Sequence, residues 1–132
     1  MSKESVLIAQ ISDLHATVEG AGFQGQVDTL AAVDAAVAHL NALDPQPDLV
    51  VVTGDLANDA KKQEYDALAP RLAKLKAPLV AVPGNHDDLV EMERHFPWKR
   101  GPMPGERCFF VYDVAPIRLV GLDTLVPGQG YG

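Results

Sequence analysis

The chain has 132 residues, 47% of them hydrophobic and 6% aromatic, with a formal net charge of −7. That length fits one domain with a real core. The negative charge argues against a nucleic-acid surface, and no apolar run approaches the ~20 residues needed to cross a bilayer.

In chain order, Val6–Ile11 reads as a short apolar strand. It is too short and too strand-like for the core of a signal peptide, so a cytoplasmic location is the expectation. Asp13–Gly25 reads as a glycine-bearing loop without periodicity. From Gln26 to Leu43, Val27, Leu30, Val33, Val37 and Leu40 recur at helical spacing and predict an amphipathic helix ending before Asp44-Pro45. Leu49–Val52 is apolar and mostly β-branched, the pattern of a strand buried on both faces. Together these form a βαβ unit with a right-handed crossover.

A second helix is expected after Asp55, capped by Asn58 or Asp59, with Tyr65, Leu68, Leu72 and Leu75 on its buried stripe. Pro70 interrupts that stripe and predicts a kink or break near Ala69. Leu79–Val82 is the third strand, and Asp87 or Asp88 can cap a short third helix bearing Leu89, Met92 and Phe96. A turn-rich stretch follows from Pro97 to Gly105. Arg107–Val114 and Ile117–Asp123 then read as an antiparallel hairpin turning at Ala115-Pro116, and the tail from Thr124 is loop. The predicted class is α/β, a β-α-β-α-β core with a following hairpin. Cys108, the single cysteine, excludes an intrachain disulfide and reads as a small core residue.

Each of the three parallel strands ends in polar residues able to bind metal. Val6–Ile11 runs into Ser12-Asp13-Leu14-His15, Leu49–Thr53 into Gly54-Asp55, and Leu79–Val82 into Pro83-Gly84-Asn85-His86-Asp87. Any one of these alone suits a turn, but a turn has no need of His after Asn and Asp after His. Open α/β folds place ligands at the carboxyl ends of their strands, so the set predicts a metal site. The donors are oxygen and nitrogen without thiolate, which suits Mn, Fe or Zn. Asp55, on the central strand, is placed to bridge two ions, with a shared hydroxide as nucleophile. His86 is placed to face the substrate and protonate the leaving alkoxide. His39 reads as surface or helix packing, His95 as a helix-end cation, and Asp123 as a turn acid.

Asp13-Leu14-His15, Gly54-Asp55 and Gly84-Asn85-His86-Asp87, in this order and spacing, resemble the motifs of the calcineurin-like metallophosphoesterase superfamily. Their flanking residues, with Gly121-Leu122-Asp123-Thr124 and Pro127-Gly128, most resemble its class III cyclic-nucleotide phosphodiesterases. The resemblance implies an αββα sandwich of two packed mixed sheets. It also implies Asp13 and His15 on a first metal, Asp55 bridging, Asn85 on a second, and His86 acting on the phosphate. The implied reaction is metal-dependent hydrolysis of a small phosphodiester, a cyclic nucleotide, with phosphomonoesters or pyrophosphate-linked nucleotides as alternatives within the superfamily. A non-catalytic module that binds metal or a partner is the alternative from another class.

The superfamily completes its metal shell with a later lone His and a Gly-His-x-His, and no histidine follows His95 here. The expectation is therefore the N-terminal half of such a domain, spanning residues 1–132, with metal affinity and activity reduced, down to inactivity, when it stands alone. Its second sheet layer would be missing and its exposed apolar surface would favour a homo-oligomer.

Overall fold

A computed structural model describes residues 4–18, 20–96, 110–126 and 128–130. The elements follow in the order β1 (Ile8–Ile11), α1 (Thr29–Ala42), β2 (Leu49–Thr53), α2 (Lys62–Leu72), β3 (Leu79–Val82), α3 (Leu89–His95), β4 (Phe110–Val114) and β5 (Ile117–Gly121). The turn-rich stretch, Cys108 and the expected start of the hairpin at Arg107 lie outside the described residues.

β1, β2 and β3 form a parallel sheet with β2 in the centre, paired Ile8 to Leu49 on one side and Val50 to Leu79 on the other. The alternation of β2 splits its side chains between two cores. Val52 joins Leu30, Val33 and Val37 of α1, Tyr65, Leu68 and Leu72 of α2, and Met92 of α3. Leu49 joins Val80 and Phe110 on the opposite face, with Tyr112 and Leu119 packed against them. Fully burying each such side chain stabilises the fold by about 1.5–3 kcal/mol before entropy is counted. The result is three layers: helices, the parallel sheet, and the β4–β5 hairpin.

That third layer corrects one expectation. A second sheet layer is begun rather than absent, because Phe110 on β4 closes over Leu49 and Val80. The outward side of the hairpin keeps the cross-strand partners Val111 and Val120 exposed, at 44% and 55%.

Three local expectations also need correction. α1 begins at Thr29 rather than Gln26, because Asp28 accepts the Ala31 N–H at 2.9 Å and so starts the helix there. Val27 instead pairs with Phe23 in the preceding loop and is exposed. Neither Asn58 nor Asp59 caps α2. The buried Glu64 reaches back from the first turn of α2 and accepts the N–H groups of Asp59 and Lys61 at 2.9 and 3.1 Å. Nor does Pro70 break α2 at Ala69. The helix runs on to Leu72, because buried Leu68 and Leu72 anchor its last turn on both sides of the proline. Asp88 caps α3 as expected, accepting the Glu91 N–H at 2.9 Å.

Candidate metal centre

The loops after β1 and β2 run side by side beyond the sheet and extend its parallel pairing. Asp13 donates its N–H to the Gly54 carbonyl at 3.0 Å, His15 to Asp55 at 2.9 Å, and Ala16 to Leu56 at 2.9 Å. Asp13, His15 and Asp55 all adopt positive φ, at 55°, 42° and 54°. This left-handed backbone is uncommon outside glycine and clusters where function holds the chain in place. Gly54, at φ 101°, passes so close to Gly84 that a β-carbon there would lie 3.0 Å from the Gly84 backbone. A β-carbon on Gly84 would fall on the Asp55 carboxylate. Glycine at both positions lets the second and third loops touch.

Asp87 ties the loops together. Its half-buried carboxylate accepts the N–H groups of Gly84, Leu56 and Ala57 at 2.9, 3.1 and 3.0 Å, and the hydrogen of the Tyr65 hydroxyl at 2.9 Å. Burial holds the Asp87 carboxyl above the ordinary carboxylate range, although the amide donors pull it back down. Burial, with the Asp87 charge beside it, pushes the Tyr65 phenol far up, so this hydroxyl remains a donor.

Asp55 divides its two oxygens. Oδ1 accepts the His86 N–H at 3.0 Å, and Oδ2 lies 3.6 Å from His15 Nε2. Asp13 is more exposed and lies 3.8 Å from the same nitrogen through Oδ1. The Ser12 hydroxyl donates to its other oxygen at 2.6 Å. His15 and His86 meet edge to face, their ring centroids 4.8 Å apart, and Phe23 lies 5.3 Å from His15. His15, Asp55 and His86 thus bring three ligand-capable atoms within 4.8 Å of one another.

Asn85 lies exposed on the same loop, immediately before His86. His39 is exposed on α1 and is not among the three gathered ligand groups. His95 bonds Asp66 and stacks on Tyr65. Asp123 accepts the Leu125 N–H at 2.8 Å, as a turn acid does.

The donor set suits a borderline divalent cation. It holds imidazole nitrogens and carboxylate oxygens without thiolate, and Asp55 has an oxygen turned toward His15.

This arrangement sits in a recognisable sequence frame. The pattern of the calcineurin-like phosphoesterase family matches residues 6–130. The chain belongs to that family. Members of the calcineurin-like phosphoesterase family use a dinuclear metal centre, and the gathered side chains fit such a group. The chain is 32% identical over 127 residues to a probable glycerophosphodiester phosphodiesterase of Arcobacter nitrofigilis, covering 96% of this chain and 46% of that protein. It is 34% identical over 125 residues to the 3',5'-cyclic adenosine monophosphate phosphodiesterase of Pseudomonas aeruginosa, covering 94% and 43%. It is 35% identical over 132 residues to a cAMP/cGMP dual specificity phosphodiesterase of Mycobacterium tuberculosis, covering 96% and 40%. The chain therefore spans less than half the length of these calcineurin-like relatives.

Two site residues escaped the sequence reading. Asp87 reads in the sequence as part of the Gly84-Asn85-His86-Asp87 motif or as a helix cap, and Asn58 as a cap, and neither reading assigns the contacts found here. Both stand beside motif residues in sequence, but their partners come from other elements.

Proposed function

We propose that the complete protein to which this chain belongs hydrolyses a small phosphodiester, a 3',5'-cyclic nucleotide. The observation that carries this is the meeting of His15, Asp55 and His86 at the carboxyl ends of three parallel strands. The printed activities of the cyclic-nucleotide relatives support the substrate class.

In this reading Asp13 and His15 would hold one ion, Asp55 would serve both, and Asn85 would hold the second. The ions, when bound, supply positive charge against the phosphoryl oxygens and lower the proton affinity of an attacking water. Asp55 is held by the His86 N–H on one oxygen and keeps the other turned toward His15. His86 anchors Nδ1 on the Asn58 carbonyl at 2.6 Å, so Nε2 is the free atom, and it gives a proton to the leaving alkoxide from the imidazolium form. The ester then opens with one P–O bond formed and one broken.

A second reading is hydrolysis of glycerophosphodiesters, favoured by the names of two other relatives. The test is the complete protein with Mn²⁺, assayed on cyclic AMP, a glycerophosphodiester and a phosphomonoester. Faster turnover of cyclic AMP supports the first reading, and faster turnover of the glycerophosphodiester the second. A preference for the monoester overturns both. Stoichiometric Mn²⁺ binding without hydrolysis of any of the three marks a binding module instead.

A further inference from the structure

We propose that Asn58 is a positioning residue that sets the tautomers of both site histidines, through two different groups. This rests on the reading of His15 and His86 as inward-facing site imidazoles.

Asn58 reaches one nitrogen of each ring. Its main-chain carbonyl is 2.6 Å from His86 Nδ1. A carbonyl accepts only, so Nδ1 of His86 carries the hydrogen and Nε2 keeps its lone pair. The Asn58 side-chain Oδ1 is 3.3 Å from His15 Nδ1. Its orientation is tied down, because the Asn58 Nδ2 donates to Asp59 Oδ1 at 3.3 Å. Oδ1 is therefore the acceptor facing His15 and favours the hydrogen on Nδ1, which leaves Nε2, 3.8 Å from Asp13 and 3.6 Å from Asp55, as the atom that would ligate a cation beside those carboxylates. The Asn58 N–H is itself held by the Ala16 carbonyl at 3.1 Å, so the backbone that makes the His86 contact is fixed by the first loop. A proton on Nε2 of His15 would block its ligand atom, and the group opposite a ligating nitrogen decides which nitrogen is free; on His86 the same arrangement leaves Nε2 as the atom free to exchange a proton with substrate.

The two contacts predict an asymmetric result. Removing the side chain releases His15 and leaves His86 bound to main chain. The experiment is long-range ¹H–¹⁵N NMR of the metal-free full chain, which reads directly which ring nitrogen of each histidine carries hydrogen. In the parent, both rings are expected as Nδ1–H tautomers. In Asn58→Ala, His15 shifts toward the Nε2–H form while His86 is unchanged, and Mn²⁺ affinity falls about 10–100-fold. In Asn58→Asp, which keeps an acceptor, His15 returns to Nδ1–H. A parent spectrum with His15 protonated on Nε2 overturns the proposal, as does an Asn58→Ala spectrum with His15 unmoved. Should Asn58→Ala fail to fold, the parent and Asn58→Asp spectra decide in the same way. No substrate or ion enters the NMR readout, so a failure to hydrolyse diesters leaves it untouched.

Discussion

The Tyr65 hydroxyl donates to the Asp87 carboxylate at 2.9 Å while accepting the Asp88 N–H at 2.9 Å. One phenol oxygen on α2 thus holds both the residue that ties the site loops and the residue that caps α3. Tyr65→Phe leaves the Asp88 N–H without this acceptor and the Asp87 carboxylate one donor short. The expected cost is about 1–3 kcal/mol in urea unfolding, with weaker Mn²⁺ binding. Unfolding and Mn²⁺ affinity both at parental values would mean that the contact does not organise the site.

Gly84→Ala tests the packing of the second and third loops. Its β-carbon would meet the Asp55 carboxylate, whereas a β-carbon at Gly130 meets nothing within 4 Å. Gly84→Ala is expected to displace Asp55 and to lower Mn²⁺ affinity about 10-fold or more, and Gly130→Ala to change neither affinity nor fold. Isothermal titration with Mn²⁺ reads the difference, and equal affinities would contradict the close approach.

Asp55→Asn and His39→Ala separate ligand from bystander. Asp55 faces His15 at 3.6 Å, while His39 is exposed on α1. In the complete protein, Asp55→Asn is expected to lose about 100-fold or more in diester hydrolysis, beyond what outer-shell losses cost, with metal binding impaired. His39→Ala should retain parental rates, and equal losses from the two would refute the assignment.

One contribution to the pH dependence comes from Asp66, which accepts from His95 at 2.7 Å and from Lys62 at 2.6 Å. The His95 bond, then the Lys62 bond, holds its carboxyl below the ordinary value of 3.8. A depressed folded pKa means the contribution is in place above that value and is lost as pH falls through the folded one. His95→Ala should raise the Asp66 midpoint toward 3.8, as read from its side-chain carboxyl carbon shift. A midpoint that stays put would assign the depression to Lys62 instead.

Much of the architecture was legible because the signals are local. Leu49–Thr53 is a run of apolar and β-branched residues too short for a helix, and Gly54-Asp55 follows it directly. The same adjacency marked Asp13 and His15 after β1 and Asn85 and His86 after β3. Asp88 as the α3 cap was legible for the same reason. Glu64 was not: an acid at that position reads as a solvated helix residue, and only the structure shows it buried and bent back to Asp59 and Lys61.

By itself the sequence determined the strands, the order of the helices and the polar residues that each strand delivers, since hydrophobic period and turn chemistry act between near neighbours in the chain. Only the tertiary structure decided that Asp87 would gather donors from Gly84, Leu56, Ala57 and Tyr65, that Asn58 would contact two imidazoles, and that Phe110 would close the far face of the sheet. These choices belong to buried polar groups and apolar faces whose partners are distant in sequence. A buried carboxylate must be matched donor by donor, and which donors reach it depends on how the loops pack.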